Sequence, residues 1–102
     1  FVLNLKMYPT LSWLNHYFIN QGFLDHENQL IEFGIPIIRD IPTVIVQGRY
    51  DIVCPISTAW ELSQNWPEAE LIIAPSSGHT AFELEITHEL IKATNTFADS
   101  YE

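Results

Sequence analysis

Two short apolar runs stand out in an otherwise mixed sequence. Residues 43–48, TVIVQG, are rich in β-branched side chains and show no alternation of polar and apolar positions. Residues 69–75, AELIIAP, form a second β-rich run. Runs of this kind are typical of strands buried on both faces of a parallel sheet. The pattern therefore predicts two parallel β-strands.

The rest of the pattern predicts helices before, between and after these strands. Residues 10–33 are aromatic-rich and helical in character, and Gly22 and the DHEN cluster are expected to split them into two short helices. Residues 55–66 predict a helix that starts at Pro55 and is closed by Pro67. Residues 80–102 predict a long amphipathic helix, whose apolar stripe consists of Phe82, Ile86, Leu90, Ala93 and Phe97.

Residues 34–42 are expected to form a linker, because Gly34, Pro36 and Pro42 disfavour any regular element. The order of helices, linker, strand, helix, strand and helix predicts an α/β fold with a right-handed parallel crossover covered by helices. Two strands are too few for a stable sheet. The sequence also starts at Phe1 without an initiator Met. We therefore expect a piece of a larger protein that supplies the remaining strands.

Composition narrows the classes of function. The 102 residues carry four Lys or Arg against thirteen Asp or Glu, a formal net charge of −9, which disfavours nucleic acid and anionic membranes as partners. No apolar run approaches the roughly 20 residues that span a bilayer. The single cysteine, Cys54, excludes an internal disulfide and favours a reducing, cytoplasmic location. One cysteine and four scattered histidines give no metal-ligand spacing, so no metal is expected.

One candidate catalytic residue comes directly after each of the two predicted strands. Asp51 comes just after the first strand and His79 just after the second, at the carboxyl edge where functional groups gather in parallel sheets. An acid that orients an imidazole is part of a Ser–His–Asp triad, and α/β-hydrolases place the acid before the histidine. The alternative is two ordinary turns, since Asp and Gly-His are common in loops. The pattern alone leaves both interpretations open.

The motifs around these residues closely resemble one family. IPTVIVQGRYDIVCP, AWELSQNWPEAELIIAPSSGH and TAFE are similar to the C-terminal part of proline iminopeptidases, and NHYFINQGFL resembles the end of that family's helical cap. The resemblance implies an α/β-hydrolase fold, with the end of the cap at 1–33, a linker at 34–42 and the C-terminal part of the hydrolase domain at 43–102. It also implies Asp51 as the triad acid and His79 as the triad base. The implied substrate is a peptide with an N-terminal proline, and no cofactor is implied.

The sequence departs from the family pattern in two places. None of its serines stands in a Gly-x-Ser-x-Gly turn, so we expect this chain alone to hydrolyse nothing. Leu14 occupies a position where the resembled family has a glutamate that binds the substrate's amino terminus. A leucine cannot pair with an ammonium group, so either Asp25 or Glu27 substitutes for it or recognition of the amine is weakened.

Three further residues are weaker candidates for the site, two for a substrate pocket and one as a catalytic thiol. His16 and Tyr17 lie in an aromatic stretch that favours packing over lining of a substrate pocket. Cys54 lies near the acid but has no base beside it in sequence, and burial is the commoner role of a free cysteine. Two other functions stay open: a non-catalytic remnant or interaction module, and a hydrolase of non-peptide esters. An incomplete sheet also predicts self-association of the chain.

Overall fold

The computed structural model describes residues 16–26 and 28–100. Strands β1 (Val44–Gly48) and β2 (Glu70–Ala74) form a parallel two-stranded sheet, with Val44 opposite Glu70 and Gly48 opposite Ala74. The prediction of two parallel strands is confirmed. Because the strands end level with each other, the segments that follow them start from the same edge of the sheet.

Helices precede, join and follow the strands. Residues 16–19 are helical and a 3₁₀ turn covers Gln21–Phe23, where Gly22 has a φ of 65°. This positive φ produces the expected break at Gly22. A π-helical turn at Leu30–Gly34 then leads directly into helix α1 (Ile35–Ile38). Helix α2 (Ile56–Asn65) joins the two strands, and helix α3 (Leu84–Ser100) follows β2 and contacts both strands.

The prediction that residues 34–42 contain no regular element is wrong for the first half of that segment. Ile35–Ile38 are helical, and Pro36 is compatible with this helix because it lies in the first turn, where the backbone N–H that proline lacks is not used. Ile35 is also the most deeply buried large side chain of the described residues, at 2% exposure. Burial of Ile35 thus anchors a segment that the sequence pattern assigned to a linker.

The predicted start of the last helix is also wrong. Helix α3 begins at Leu84, and residues 80–83 form a turn in which Phe82 is 94% exposed. Of the expected apolar stripe, Ile86 is buried and Ala93 and Phe97 are half-buried. The turn forms because the Glu83 carboxylate accepts hydrogen bonds from backbone N–H groups that precede it, as described below.

The buried core of the described residues is small. Ile35, Trp66 and Ala69 pack together, and the indole N–H of Trp66 donates a hydrogen bond to the Arg39 carbonyl at 3.3 Å. Four half-buried side chains surround this cluster: Ile31, Ile38, Ile45 and Leu62. The apolar residues of β1 are only half-buried, whereas the sequence predicted burial on both faces. Among the described helices, none has both the length and the hydropathy to cross a membrane.

Candidate active site

The ends of the two strands bring two loops together. Beyond the last residue pair of the sheet, the backbone N–H of Arg49 donates to the Ala74 carbonyl at 3.0 Å, and that of Tyr50 donates to the Ser77 carbonyl at 2.9 Å. The loop that carries Asp51 and the loop that carries His79 therefore leave the sheet side by side. This local pairing places both residues at one edge of the sheet, as their positions in the sequence predict.

Gly48 permits this close approach of the loops. A Cβ atom at residue 48 would lie 1.9 Å from the carbonyl oxygen of Gly78 and 2.8 Å from that of Ser77. Both obstacles are backbone atoms, which cannot rotate away as a side chain can. The first residue of the motif Gly-Arg-Tyr-Asp is therefore a glycine for steric reasons.

The Asp51 carboxylate is held by its own loop. Its Oδ1 atom accepts hydrogen bonds from the backbone N–H of Cys54 at 2.8 Å and of Val53 at 2.9 Å. The Cys54 N–H is the main cause that holds the pKa of Asp51 below its ordinary value, and His79 lowers this pKa further. The Asp51 side chain is only 8% exposed. The carboxylate is thus ionised and fixed at neutral pH.

The imidazole of His79 faces this carboxylate. Its Nδ1 atom lies 3.0 Å from both Oδ1 and Oδ2 of Asp51. Because an ionised carboxylate can only accept, Nδ1–H donates the hydrogen bond to Asp51, and in the neutral ring Nε2 is then the atom that can accept a proton. The His79 side chain is 53% exposed, so an external group can reach the ring. The pair therefore has the hydrogen-bond arrangement of an acid that orients a general base.

Two glutamates, Glu83 and Glu85, shape the histidine loop. Glu83 accepts the backbone N–H of Gly78 at 2.9 Å and of Thr80 at 3.3 Å. Glu85 accepts the backbone N–H of Ser76 at 2.9 Å and the hydroxyl of Ser77 at 3.0 Å. The sequence signal was two acidic residues shortly after the loop, at the start of a helix.

Cys54 lies beside the pair and is exposed, contrary to the expectation that it is buried. Its N–H is bound by Asp51, and its carbonyl accepts a hydrogen bond from Gln47 Nε2 at 3.0 Å. One donor atom each from Cys54, Asp51 and His79 lies within 4.8 Å of the others. The sequence shows no base beside Cys54, because the imidazole comes from the other loop.

The weaker candidates from the aromatic stretch make local contacts. The His16 ring packs at a tilt against Phe23, at 5.4 Å between ring centroids, and the His16 carbonyl oxygen accepts a hydrogen bond from Asn20. Tyr17 packs against Phe23 at 6.3 Å. These contacts support the packing interpretation and do not connect either residue to Asp51 or His79. Leu14 and Glu27 lie outside the described residues, and Asp25 is exposed.

Comparison with known proteins identifies the family of the chain. Residues 24–95 match the family described as TAP-like protein. The proline iminopeptidase of Xanthomonas citri is 54% identical over 84 residues, which cover 82% of this chain and 26% of that protein. The proline iminopeptidases of Arabidopsis thaliana and Neisseria gonorrhoeae are 49% and 48% identical over 79 residues, 78% of this chain and 20% and 25% of those proteins.

The chain thus spans about a quarter of the length of the curated relatives it matches. The family match covers most of the chain, and the parallel strands and helices of the described residues are those of an α/β unit. The chain belongs to the TAP-like family of α/β-hydrolases and is homologous to the C-terminal region of proline iminopeptidases.

Proposed function

We propose that Asp51 and His79 are the acid and the base of a Ser–His–Asp triad in a peptidase that releases N-terminal proline from peptides. The observation that carries the proposal is the contact of His79 Nδ1 with both carboxylate oxygens of Asp51 at 3.0 Å. The similarity to proline iminopeptidases supports the substrate class. The nucleophilic serine is supplied from outside these 102 residues.

In this mechanism His79 moves the protons. Its Nε2 atom takes the proton of the serine hydroxyl as the oxygen attacks the carbonyl carbon of the N-terminal proline. Asp51 holds the ring in the tautomer that leaves Nε2 free, and it stabilises the imidazolium that forms. His79 then gives the proton to the departing amine. A water molecule hydrolyses the acyl-enzyme by the same route, and no step is assigned to a metal or an organic cofactor.

The serines of this chain do not fit the role of nucleophile. Ser77 is the one nearest to His79 in sequence, but it is only 3% exposed and its hydroxyl donates a hydrogen bond to Glu85. None of the serines follows a strand in a Gly-x-Ser-x-Gly turn. We therefore expect the isolated chain to lack peptidase activity.

Complementation tests the proposal. This chain is mixed with the Xanthomonas citri proline iminopeptidase truncated to remove the matching quarter, and hydrolysis of a proline anilide is measured. Each piece alone should show background turnover, and the mixture should be active. Asp51→Asn or His79→Ala should lower kcat by about 10⁴-fold, as loss of a triad member does. His88→Ala is the matched control, because His88 lies exposed on α3.

Other results distinguish the alternatives. If the isolated chain hydrolysed the anilide and Asp51→Asn abolished this turnover, the proposal that the serine lies outside these residues would be contradicted. Tight association of the two pieces without turnover would favour an interaction module, and turnover of esters but not of proline anilide would favour a different hydrolase. A gene whose upstream coding sequence contains no Gly-x-Ser-x-Gly would argue against the peptidase in this protein.

A further inference from the structure

We propose that Asp51, Cys54 and His79 form a binding site for a borderline-soft divalent cation such as Zn²⁺. One donor atom from each side chain lies within 4.8 Å of the other two. The set of one thiolate sulfur, one imidazole nitrogen and one carboxylate oxygen suits Zn²⁺ rather than Mg²⁺ or Ca²⁺, which prefer oxygen ligands. The inference concerns metal binding, and it does not depend on the proposed peptidase activity.

The backbone prearranges these donors. Asp51 is held by the N–H groups of Val53 and Cys54, and its side chain is 8% exposed. The peptide groups on both sides of Cys54 Cα are also fixed, since its N–H donates to Asp51 and its carbonyl accepts from Gln47. His79 is positioned by its contact with Asp51. Two of the three ligands thus touch before any ion binds.

Only a small movement is needed to complete the site. In a tetrahedral zinc site, with bonds of about 2.0–2.3 Å, ligand atoms lie roughly 3.5 Å apart. The largest separation here is 4.8 Å or less, and the exposed side chain of Cys54 can turn inward about its Cα–Cβ bond. The thiol proton leaves to solvent as the zinc–sulfur bond forms. Exposure of His79 and Cys54 leaves a fourth position open to water.

An ion at this site competes with the arrangement that a triad needs. If His79 binds the ion through Nδ1, its hydrogen bond to Asp51 is lost and the ring proton moves to Nε2. If it binds through Nε2, the atom that would accept a serine proton is occupied. Either geometry takes the imidazole out of use as a general base, so the ion acts as an inhibitor rather than a cofactor.

Cobalt binding to the full 102-residue chain tests the inference. Co²⁺ bound to a thiolate absorbs in the near ultraviolet, and the chain has one cysteine, so this absorption reports on Cys54 alone. A thiol-free reducing agent keeps the exposed thiol from oxidising without adding another thiolate ligand for Co²⁺. We expect one Co²⁺ per chain, displaced by Zn²⁺. Cys54→Ser should abolish the absorption, and Asp51→Asn and His79→Ala should each weaken Co²⁺ binding at least tenfold.

His88→Ala is the matched control and should leave Co²⁺ binding unchanged, because His88 lies outside the cluster. Far-ultraviolet circular dichroism establishes that each variant keeps its secondary structure, and Cys54→Ser and Asp51→Asn are close to isosteric. Absence of the thiolate absorption would overturn the proposal. So would equal Co²⁺ affinity in the unchanged chain, Asp51→Asn and His79→Ala, since the thiol would then bind the ion alone. Because no serine is involved, failure here leaves the proposed peptidase function untouched.

Discussion

Individual hydrogen bonds keep the Asp51 carboxylate ionised and oriented towards His79. Asp51 has a lowered pKa mainly because the N–H of Cys54 donates to it, and the contact with His79 adds to this effect. Gly48 acts through the absence of a side chain, which lets the Asp51 loop and the His79 loop approach each other. At this scale, one charge and one missing methyl group decide whether His79 faces a carboxylate.

The pKa of Asp51 can be measured directly. In a metal-free sample with a chelator, the carboxyl carbon of Asp51 should titrate by NMR with a midpoint below the ordinary value of 3.8. His79→Gln should raise this pKa but keep it below 3.8, because the Cys54 N–H, the larger cause, remains. A midpoint at or above 3.8 in the unchanged chain would contradict the geometry.

The lowered pKa of Asp51 also predicts the direction in which pH changes the stability of the fold. Because the folded-state pKa of Asp51 lies below the unfolded value of 3.8, its stabilisation is fully present above pH 3.8 and is lost as pH falls through the folded pKa. Urea unfolding should therefore show a difference between the unchanged chain and Asp51→Asn that shrinks in acid. Asp40→Asn, at an exposed carboxylate, is the control and should show a smaller change.

Gly48→Ala should destabilise the fold. The new Cβ would lie 1.9 Å from the Gly78 carbonyl oxygen, so the loops must separate, at a cost of about 1–3 kcal/mol or more in the free energy of unfolding. Gly34→Ala is the control, because Gly34 has helical angles and its nearest obstacle is the flexible side chain of Leu30. That change should stay within about 1 kcal/mol. Equal unfolding free energies for the two variants would contradict the steric argument.

At the scale of elements, the start of α3 controls the histidine loop. Glu83 and Glu85 lie at this helix terminus and accept hydrogen bonds from the loop between β2 and α3. Acidic groups are favoured at a helix N-terminus, where unpaired N–H groups carry partial positive charge. The helix terminus thus positions the loop through its backbone N–H groups and the Ser77 hydroxyl.

Glu85→Ala should loosen this loop. The buried hydroxyl of Ser77 loses its acceptor and the N–H of Ser76 loses its partner, a loss of about 1–3 kcal/mol. Amide hydrogen exchange at Ser76 should accelerate about tenfold or more, since each 1.4 kcal/mol corresponds to roughly a factor of ten. Glu61→Ala, at an exposed residue of α2, is the control. Unchanged exchange at Ser76 would mean that the loop is held by other contacts.

At the scale of the whole molecule, the described residues form an unfinished layer structure. The sheet has two strands, so each strand leaves one edge unpaired. Large apolar side chains are exposed in several places, among them Ile37 at 81% and Ile52 at 90%. A complete α/β domain covers its parallel sheet with helices on both faces. Within residues 16–26 and 28–100, the outer edges of β1 and β2 therefore carry no further strand, and this apolar surface is exposed.

We expect the isolated chain to self-associate through this surface. Light scattering coupled to size-exclusion chromatography should give an apparent mass above that of the 11.8 kDa chain, rising with protein concentration. Addition of the complementary part of a proline iminopeptidase should suppress this association, since both compete for the same strand edges. A monodisperse monomer at every concentration would show that the described fold is complete by itself.

Several features of the fold and of the candidate site were predictable, because they depend on the local sequence pattern. The β-branched runs predicted both strands, the break at Gly22 followed from glycine's tolerance of positive φ, and the residues after each strand indicated Asp51 and His79. The helical conformation of Ile35–Ile38 was missed, because burial of Ile35 outweighs the signal of Gly34 and Pro36. The exposed turn before α3 was missed, because it depends on side-chain hydrogen bonds rather than on apolar periodicity.

The sequence by itself determined the kind of fold, the family resemblance and the order of acid before histidine, because each depends on local patterns and on their order along the chain. Tertiary structure decided what those residues contact. The approach of Cys54 to His79, the support of Ser77 by Glu85 and the steric need for Gly48 each join residues from different elements or loops. Asp51 and Cys54 lie beside His79 because β1 and β2 pair in register, and this pairing joins residues that are far apart in the sequence.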